Sequence, residues 1–244
     1  MNRFSAFRLF TAQSFLLFVF ILFSTMSCAQ KSETNRERYM PQLEQAYKDG
    51  DWEKIISNVE TIINSGEAYD DLALIYAQAL EATNNVEKAI SILKAELENK
   101  EPRTERYFIT NELGNAYGLL KDYDNAISYY KQTLELRPLF ARAMLGLASV
   151  YTELGEISSA SDYYLQAASL FIEHGMGDEV LSIGRQMIDI ASEDLYSCLV
   201  LANGLYMTGD KKECLNLIES LKNTFSSFGS LKENFDELEK LARE

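Results

Sequence analysis

The chain has 244 residues, of which 47% are hydrophobic, and this excludes a globally disordered polymer. Its net charge of −14 excludes the phosphate-neutralising surface on which nucleic-acid binding rests. With three prolines, twelve glycines and no run of alternating strand-type residues, it reads as long helices in one domain or one repeat array.

The N-terminus has its own character. Arg3 and Arg8 precede an unbroken apolar run, Phe15 to Phe23, and then the small-residue stretch "STMSCAQKS". The run is shorter than the roughly 20 apolar residues of a membrane span, and the layout is that of a secretory signal peptide over residues 1–27. Thr25-Met26-Ser27-Cys28 resembles a bacterial lipobox, with Thr25 where that motif favours Leu. The resemblance implies that Cys28 is acylated, becomes the new N-terminus and anchors the chain in a membrane through a polar tether, residues 28–35. Cleavage after Ala29 and an uncleaved anchor are the alternative readings. Without residues 1–27 the net charge becomes −16, against a basic patch for anionic lipid.

Beyond the tether, a pattern repeats every 34 residues. Leu113-Gly114, Tyr117, Ala126, Tyr130 and Pro138 are followed by Leu147-Ala148, Tyr151, Ala160, Tyr164 and Ile172. Laid along the chain, this frame begins with a unit over 36–69, where Gly50-Asp51-Trp52 marks a turn, Leu43 and Ile55 hold the small slots, and Pro41 delays or kinks the first helix. A unit over 70–103 places Ala77 and Ala89 in those slots and Leu93 and Leu97 on the buried stripe. Pro102 to Glu105 is a short insertion before the units over 107–140 and 141–174. Ile157 to Glu173 reads as one unusually long helix, and residues 175–194 hold one helix where two are due. A unit over 195–228 follows, with Leu201-Ala202, Leu205, Gly209-Asp210, Cys214 and Ile218. Residues 229–244 read as an amphipathic cap with Leu231, Phe235, Leu238 and Leu241 on one stripe. Glycine inside a helix costs about 1 kcal/mol relative to alanine. Gly114 is therefore expected where two helices meet closely, facing Ala126, with Lys121-Asp122 as the turn and Pro138 as the stop.

The motifs of chemistry are missing. No phosphate-binding glycine loop, zinc-protease helix or nucleophile elbow occurs. His174 is the single histidine, beside Gly175 at an expected helix end, where a cation is favourable and a catalytic partner is lacking. Asp122, Asp124 and Asp210 fall where helix capping explains them. Cys198 and Cys214 sit at apolar positions of helices and read as buried free thiols. No enzyme activity, cofactor, metal or small-molecule substrate is expected.

The 34-residue pattern, with Thr110 and Met144 in its tryptophan slot, resembles the tetratricopeptide repeat. The resemblance implies an all-α fold, a right-handed α-solenoid of antiparallel helix pairs with a C-terminal capping helix. It also implies binding of protein or extended peptide segments along a face made by the first helices. Carried over by position, that face is Leu74, Gln78, Phe108, Asn111, Asn115, Leu145, Ser149, Leu199, Asn203 and Tyr206. Asn115 matches a slot of the subfamily that grips a terminal carboxylate, but Asn111 stands where that subfamily has Lys. Together with the anchor at Cys28, the plan resembles outer-membrane lipoproteins that support β-barrel assembly or pilot secretin subunits. The expected function is a non-enzymatic scaffold at the bacterial cell envelope; the alternative is a periplasmic adaptor recruiting a cell-wall enzyme.

Overall fold

A computed structural model describes residues 39–66, 72–99 and 105–244; the signal peptide, Cys28, the tether and residues 102–104 of the insertion lie outside them. The described elements are all helical: α1 over 39–49, α2 Trp52–Asn64, α3 Leu72–Ala82, α4 Val86–Glu98, α5 Arg106–Leu119, α6 Tyr123–Leu136, α7 Ala141–Glu153, α8 Ile157–Glu173, α9 Gly177–Ile190, α10 Leu195–Met207, α11 Lys211–Thr224, a 3-10 turn Gly229–Leu231 and α12 Lys232–Arg243. They fall into two compact units, one up to Asn85 and one from Val86 to Glu244.

One backbone device punctuates the chain. Gly50, Asn84, Lys121, Gly155, Gly175 and Gly209 all have positive φ just past a helix end. In each case the following residue donates its N–H to a carbonyl five residues back: Asp51 to Ala46, Asn85 to Leu80, Asp122 to Tyr117, Glu156 to Tyr151, Met176 to Phe171 and Asp210 to Leu205, at 2.7–3.0 Å. This closing bond ends a helix sharply and satisfies one of its orphan carbonyls. Asn84 and Lys121 adopt the left-handed conformation without being glycine. Asp51 and Asp122 then cap the next helix, accepting from the N–H of Lys54 and Asn125.

In the first unit, Leu43 and Ala46 of α1 and Ile55, Val59 and Ile62 of α2 are buried. Tyr47 meets Trp52 edge-on at 5.5 Å, and the Tyr76 hydroxyl of α3 donates to Glu60 of α2 at 2.7 Å.

In the second unit the helices stack as an antiparallel solenoid. Thr110 meets Thr133 and Tyr117 stacks on Tyr129, so position rises along α5 as it falls along α6. Tyr151 stacks on Tyr163 at 5.8 Å, repeating that pair in α7 and α8. The atoms nearest to Gly114 belong to the ring of Tyr130. A β-carbon on Gly114 would lie 2.6 Å from the Tyr130 ring, and one on Gly146 of α7 would lie 2.3 Å from it. The small slot therefore receives the ring of Tyr130, which is 4% exposed, between two glycines on two different helices.

The turn positions step by 34, 37, 34, 20 and 34 residues. The 37 is the period plus the insertion. The 20 falls across α8, which spans 17 residues where α7 and α9 span 13 and 14. The same tight turn brackets both its ends, so α8 is the second helix of one pair and the first helix of the next. Residues 175–194 hold one helix as expected, which follows α8 through the tight turn at Gly175 and packs closely on α10. Helix contacts show a shift of pairing: α9 packs most extensively on α10, while α8 also touches α9 and α10, and α10 touches α12.

Beyond α8 the helices come closer still. A β-carbon on Gly184 would sit 2.5 Å from Leu201 Cα, and one on Gly204 2.4 Å from Leu181 Cα, so α9 and α10 meet backbone to backbone. The end is closed by α12, whose Phe235, Leu238 and Ala242 are buried and whose Leu241 is half-buried. Glu239 bonds both Arg243 and Lys222, tying α12 to α11, and these partners hold its carboxyl below the usual carboxylate range.

Adding a methyl group to either glycine beside Tyr130 overpacks a filled space. Gly146→Ala and Gly114→Ala are each expected to lower stability by about 1–3 kcal/mol. Leu119→Ile, at a side chain 58% exposed, is expected to stay within about 0.5 kcal/mol. Urea midpoints measure all three; a parent-like midpoint for Gly146→Ala contradicts the socket.

Candidate functional site

Tyr130 organises the polar groups around it. Its hydroxyl donates to Asn115 Oδ1 at 2.7 Å, and Asn115 Nδ2 donates to Glu112 at 3.0 Å. Asn111 Nδ2 approaches Glu112 at 3.5 Å. Glu112 is 7% exposed and Asn111 2%. The expectation that Asn111 lines a solvated groove is therefore corrected: α5 is packed by α4, α6 and α7, and these neighbours enclose it. Its Oδ1 has no hydrogen-bond partner.

The other expected residues divide by environment. Phe108 is half-buried in an aromatic cluster, 4.3 Å from Tyr107 and 5.8 Å from Phe140, with the Arg137 guanidinium 4.8 Å from the Tyr107 ring centre. Leu145 is half-buried against the core that contains Met144, Ala148 and Ala160, while Ser149 is exposed one turn further on. Asn203 spends its amide on its own helix, donating to Leu199 O at 2.9 Å. Tyr206 and Leu199 are half-buried, and Lys211 lies 5.9 Å from the Tyr206 ring centre. In the first unit, Leu74 and Gln78 are half-buried on α3. The structure brings Phe108, Asn115, Leu145 and Ser149 onto the neighbouring helices α5 and α7, and Leu199, Asn203 and Tyr206 onto α10.

Aligned on the tight turn, Leu145 and Ser149 of α7 correspond to Leu165 and Ser169 of α8. Leu165 is half-buried and Ser169 exposed, the same pair of environments. Sequence reasoning missed them because it kept a strict 34-residue frame; the short step from Gly155 to Gly175 was the available signal.

Among the described residues no group of three or more His, Cys, Asp or Glu side chains could hold a metal ion, and no helix is long and apolar enough to cross a membrane. Cys198 and Cys214 are buried free thiols. Burial pushes both above the ordinary thiol value, and Asp194 adds to the effect at Cys198. His174 caps α8, its ring Nδ1–H donating to Leu170 O at 2.7 Å.

Residues 105–173 match the tetratricopeptide repeat. The matched span is α5 to α8, the two best-formed units. Solved structures resemble the chain over a wider range. A thermophilic protein of Thermus thermophilus is 20% identical, covering 70% of this chain and 99% of that one, with a TM-score of 0.49. The MamA protein is 18% identical, covering 73% and 94%, with a TM-score of 0.51. A tetratricopeptide protein of Parabacteroides merdae is 15% identical, covering 86% and 100%, at 0.45. At such identities the likeness to MamA speaks to fold alone. No curated protein matches.

Two measurements follow from these environments. Asn115→Ala removes the acceptor of the Tyr130 hydroxyl and is expected to cost about 1–3 kcal/mol, while Ser149→Ala stays within about 0.5 kcal/mol. Denaturant titration separates them. In a Cys28→Ser chain at pH 8, Cys198 and Cys214 are expected to resist a thiol reagent while folded and to react as two equivalents in guanidinium. Rapid native labelling of either contradicts its placement.

Proposed function

We propose that the chain is a non-catalytic protein-binding scaffold of the bacterial cell envelope, held to a membrane through an acylated Cys28. The observation that carries the scaffold reading is the stacked tetratricopeptide geometry of residues 105–173, which exposes repeated first-helix positions. The anchor is supported by sequence alone, through Arg3, Arg8, the apolar run Phe15 to Phe23 and Cys28 after small residues. The binding face comprises the accessible first-helix residues Phe108, Leu145, Ser149, Leu165 and Ser169. Asn111 is no part of it, being enclosed, and Asn115 supports it by holding Tyr130. Half-buried apolar residues one turn from exposed hydroxyls suit an extended segment, because one group supplies contact area and the other bonds backbone.

Lipoprotein acylation supplies more than one chain, as stable anchoring requires. Cell fractionation of the parent and of Cys28→Ser tests the anchor. The expected result is parent in the membrane and variant in the soluble envelope fraction, with mass spectrometry showing acyl mass on the parent only. Equal membrane partition, or an intact residue 1–27 segment, refutes it. Affinity purification from membrane extract tests the scaffold. Envelope proteins captured by the parent and lost with Ser149→Arg and Ser169→Arg together support it; capture unchanged by that pair moves binding to another surface.

A further inference from the structure

The extra turn that lets α8 serve two pairs also builds a cleft. Its last residues, Leu170 to Glu173, and the closing turn through His174 and Met176 stand opposite the connection between α6 and α7. Between them lies a cleft of 590 Å³ lined chiefly by Arg137, Pro138, Leu139, Leu170, Phe171 and Met176. Leu139 is 71% exposed and Met176 39%; Leu136 and Ile172, next to the lining residues in sequence, are 53% and 38% exposed. Single exposed apolar side chains are ordinary, but their convergence on a concavity marks an interaction site.

The charge of the cleft narrows the occupant. Arg137 is fixed by its stacking on Tyr107, by the Phe140 ring at 5.8 Å, and by donation from Nη1 to the Tyr107 hydroxyl at 2.5 Å. Among the described residues no carboxylate pairs with it. In a chain of net charge −14, this is a guanidinium held beside an apolar floor, with the Glu105 carboxylate near the same Tyr107 hydroxyl. A fixed guanidinium binds carboxylate at low ordering cost. Glu173 also lines the cleft, next to His174, and disfavours a second negative charge.

We propose that this cleft binds an apolar peptide segment of a partner protein carrying one carboxylate. The carboxylate sits on Arg137, and apolar side chains rest against Leu139, Phe171 and Met176. The proposal rests on the scaffold reading for its class of partner, but not on the anchor or on the first-helix face.

The test is selection of a random heptapeptide pool, synthesised with carboxamide ends, on the purified full-length chain in detergent. Enriched peptides are expected to carry one Asp or Glu among Leu, Phe or Met. By fluorescence polarisation their affinity falls at least about tenfold with Arg137→Met, with Leu139→Asp, and when the peptide acid becomes its amide. Leu119→Ile, at an exposed side chain at the far end of α5, leaves that affinity unchanged. Leu139 is exposed, so its variant keeps the test valid if Arg137→Met unfolds. The proposal is overturned if no sequence enriches, if enriched peptides are basic, or if the folded cleft variants bind as the parent does. It is also overturned if sedimentation shows a dimer that Leu139→Asp dissociates, since a second copy then fills the cleft. Envelope proteins captured by the parent chain in any of these cases leave the scaffold reading standing.

Discussion

The second unit is spaced by one ring. Tyr130 stands on α6 and fits between Gly114 of α5 and Gly146 of α7, so a single side chain sets the distances among three helices. Each glycine weakens its own helix by about 1 kcal/mol relative to alanine. Burial of a whole aromatic side chain outweighs that loss, because such a ring removes 150–250 Å² from water, roughly. The hydroxyl then reaches Asn115 and through it Glu112, so the apolar seat and the buried polar group depend on the same residue. Packing at interior density leaves no slack for a larger neighbour.

The solution differs one pair further along. Aligned on the turn, Gly184 of α9 stands where α6 has Tyr130, and there the backbones of α9 and α10 touch with no ring between them. The stack thus changes its spacing just after α8, where its period also changes. Regular units before the break and close-packed ones after it share a helix long enough to satisfy both.

Much of the plan could be read from residue spacing. The 34-residue period, the turn at Lys121-Asp122, the long α8, the lone α9, the buried thiols and the cap all stand where the pattern put them. What it missed has specific physical causes. Slot matching named Ala126 opposite Gly114 without ranking the neighbours, and the nearest atoms there are those of the long Tyr130 ring, which leans toward its own N-terminus. Asn111 was read as solvated because it is polar and lies on a first helix; its burial depends on three neighbouring helices, which no local pattern reports. The double duty of α8 was encoded in Gly155 and Gly175, yet a fixed period hides a step of 20. The face built from first helices was legible only as a set of equivalent positions, and the environment at each is decided by the neighbour that packs beside it.

The shared helix changes how the array can come apart. In an ordinary solenoid each repeat touches only its neighbours, and stability is close to a sum of repeat and interface terms. A pair can then fray or be exchanged as a cassette. Because α8 packs on both α7 and α9, and α9 meets α10 backbone to backbone, none of these helices can leave without stripping a neighbour. Residues 141–207 therefore form one cooperative block of four helices. Cassette exchange at the outer boundaries of that block keeps every helix paired, whereas a cut within it orphans one.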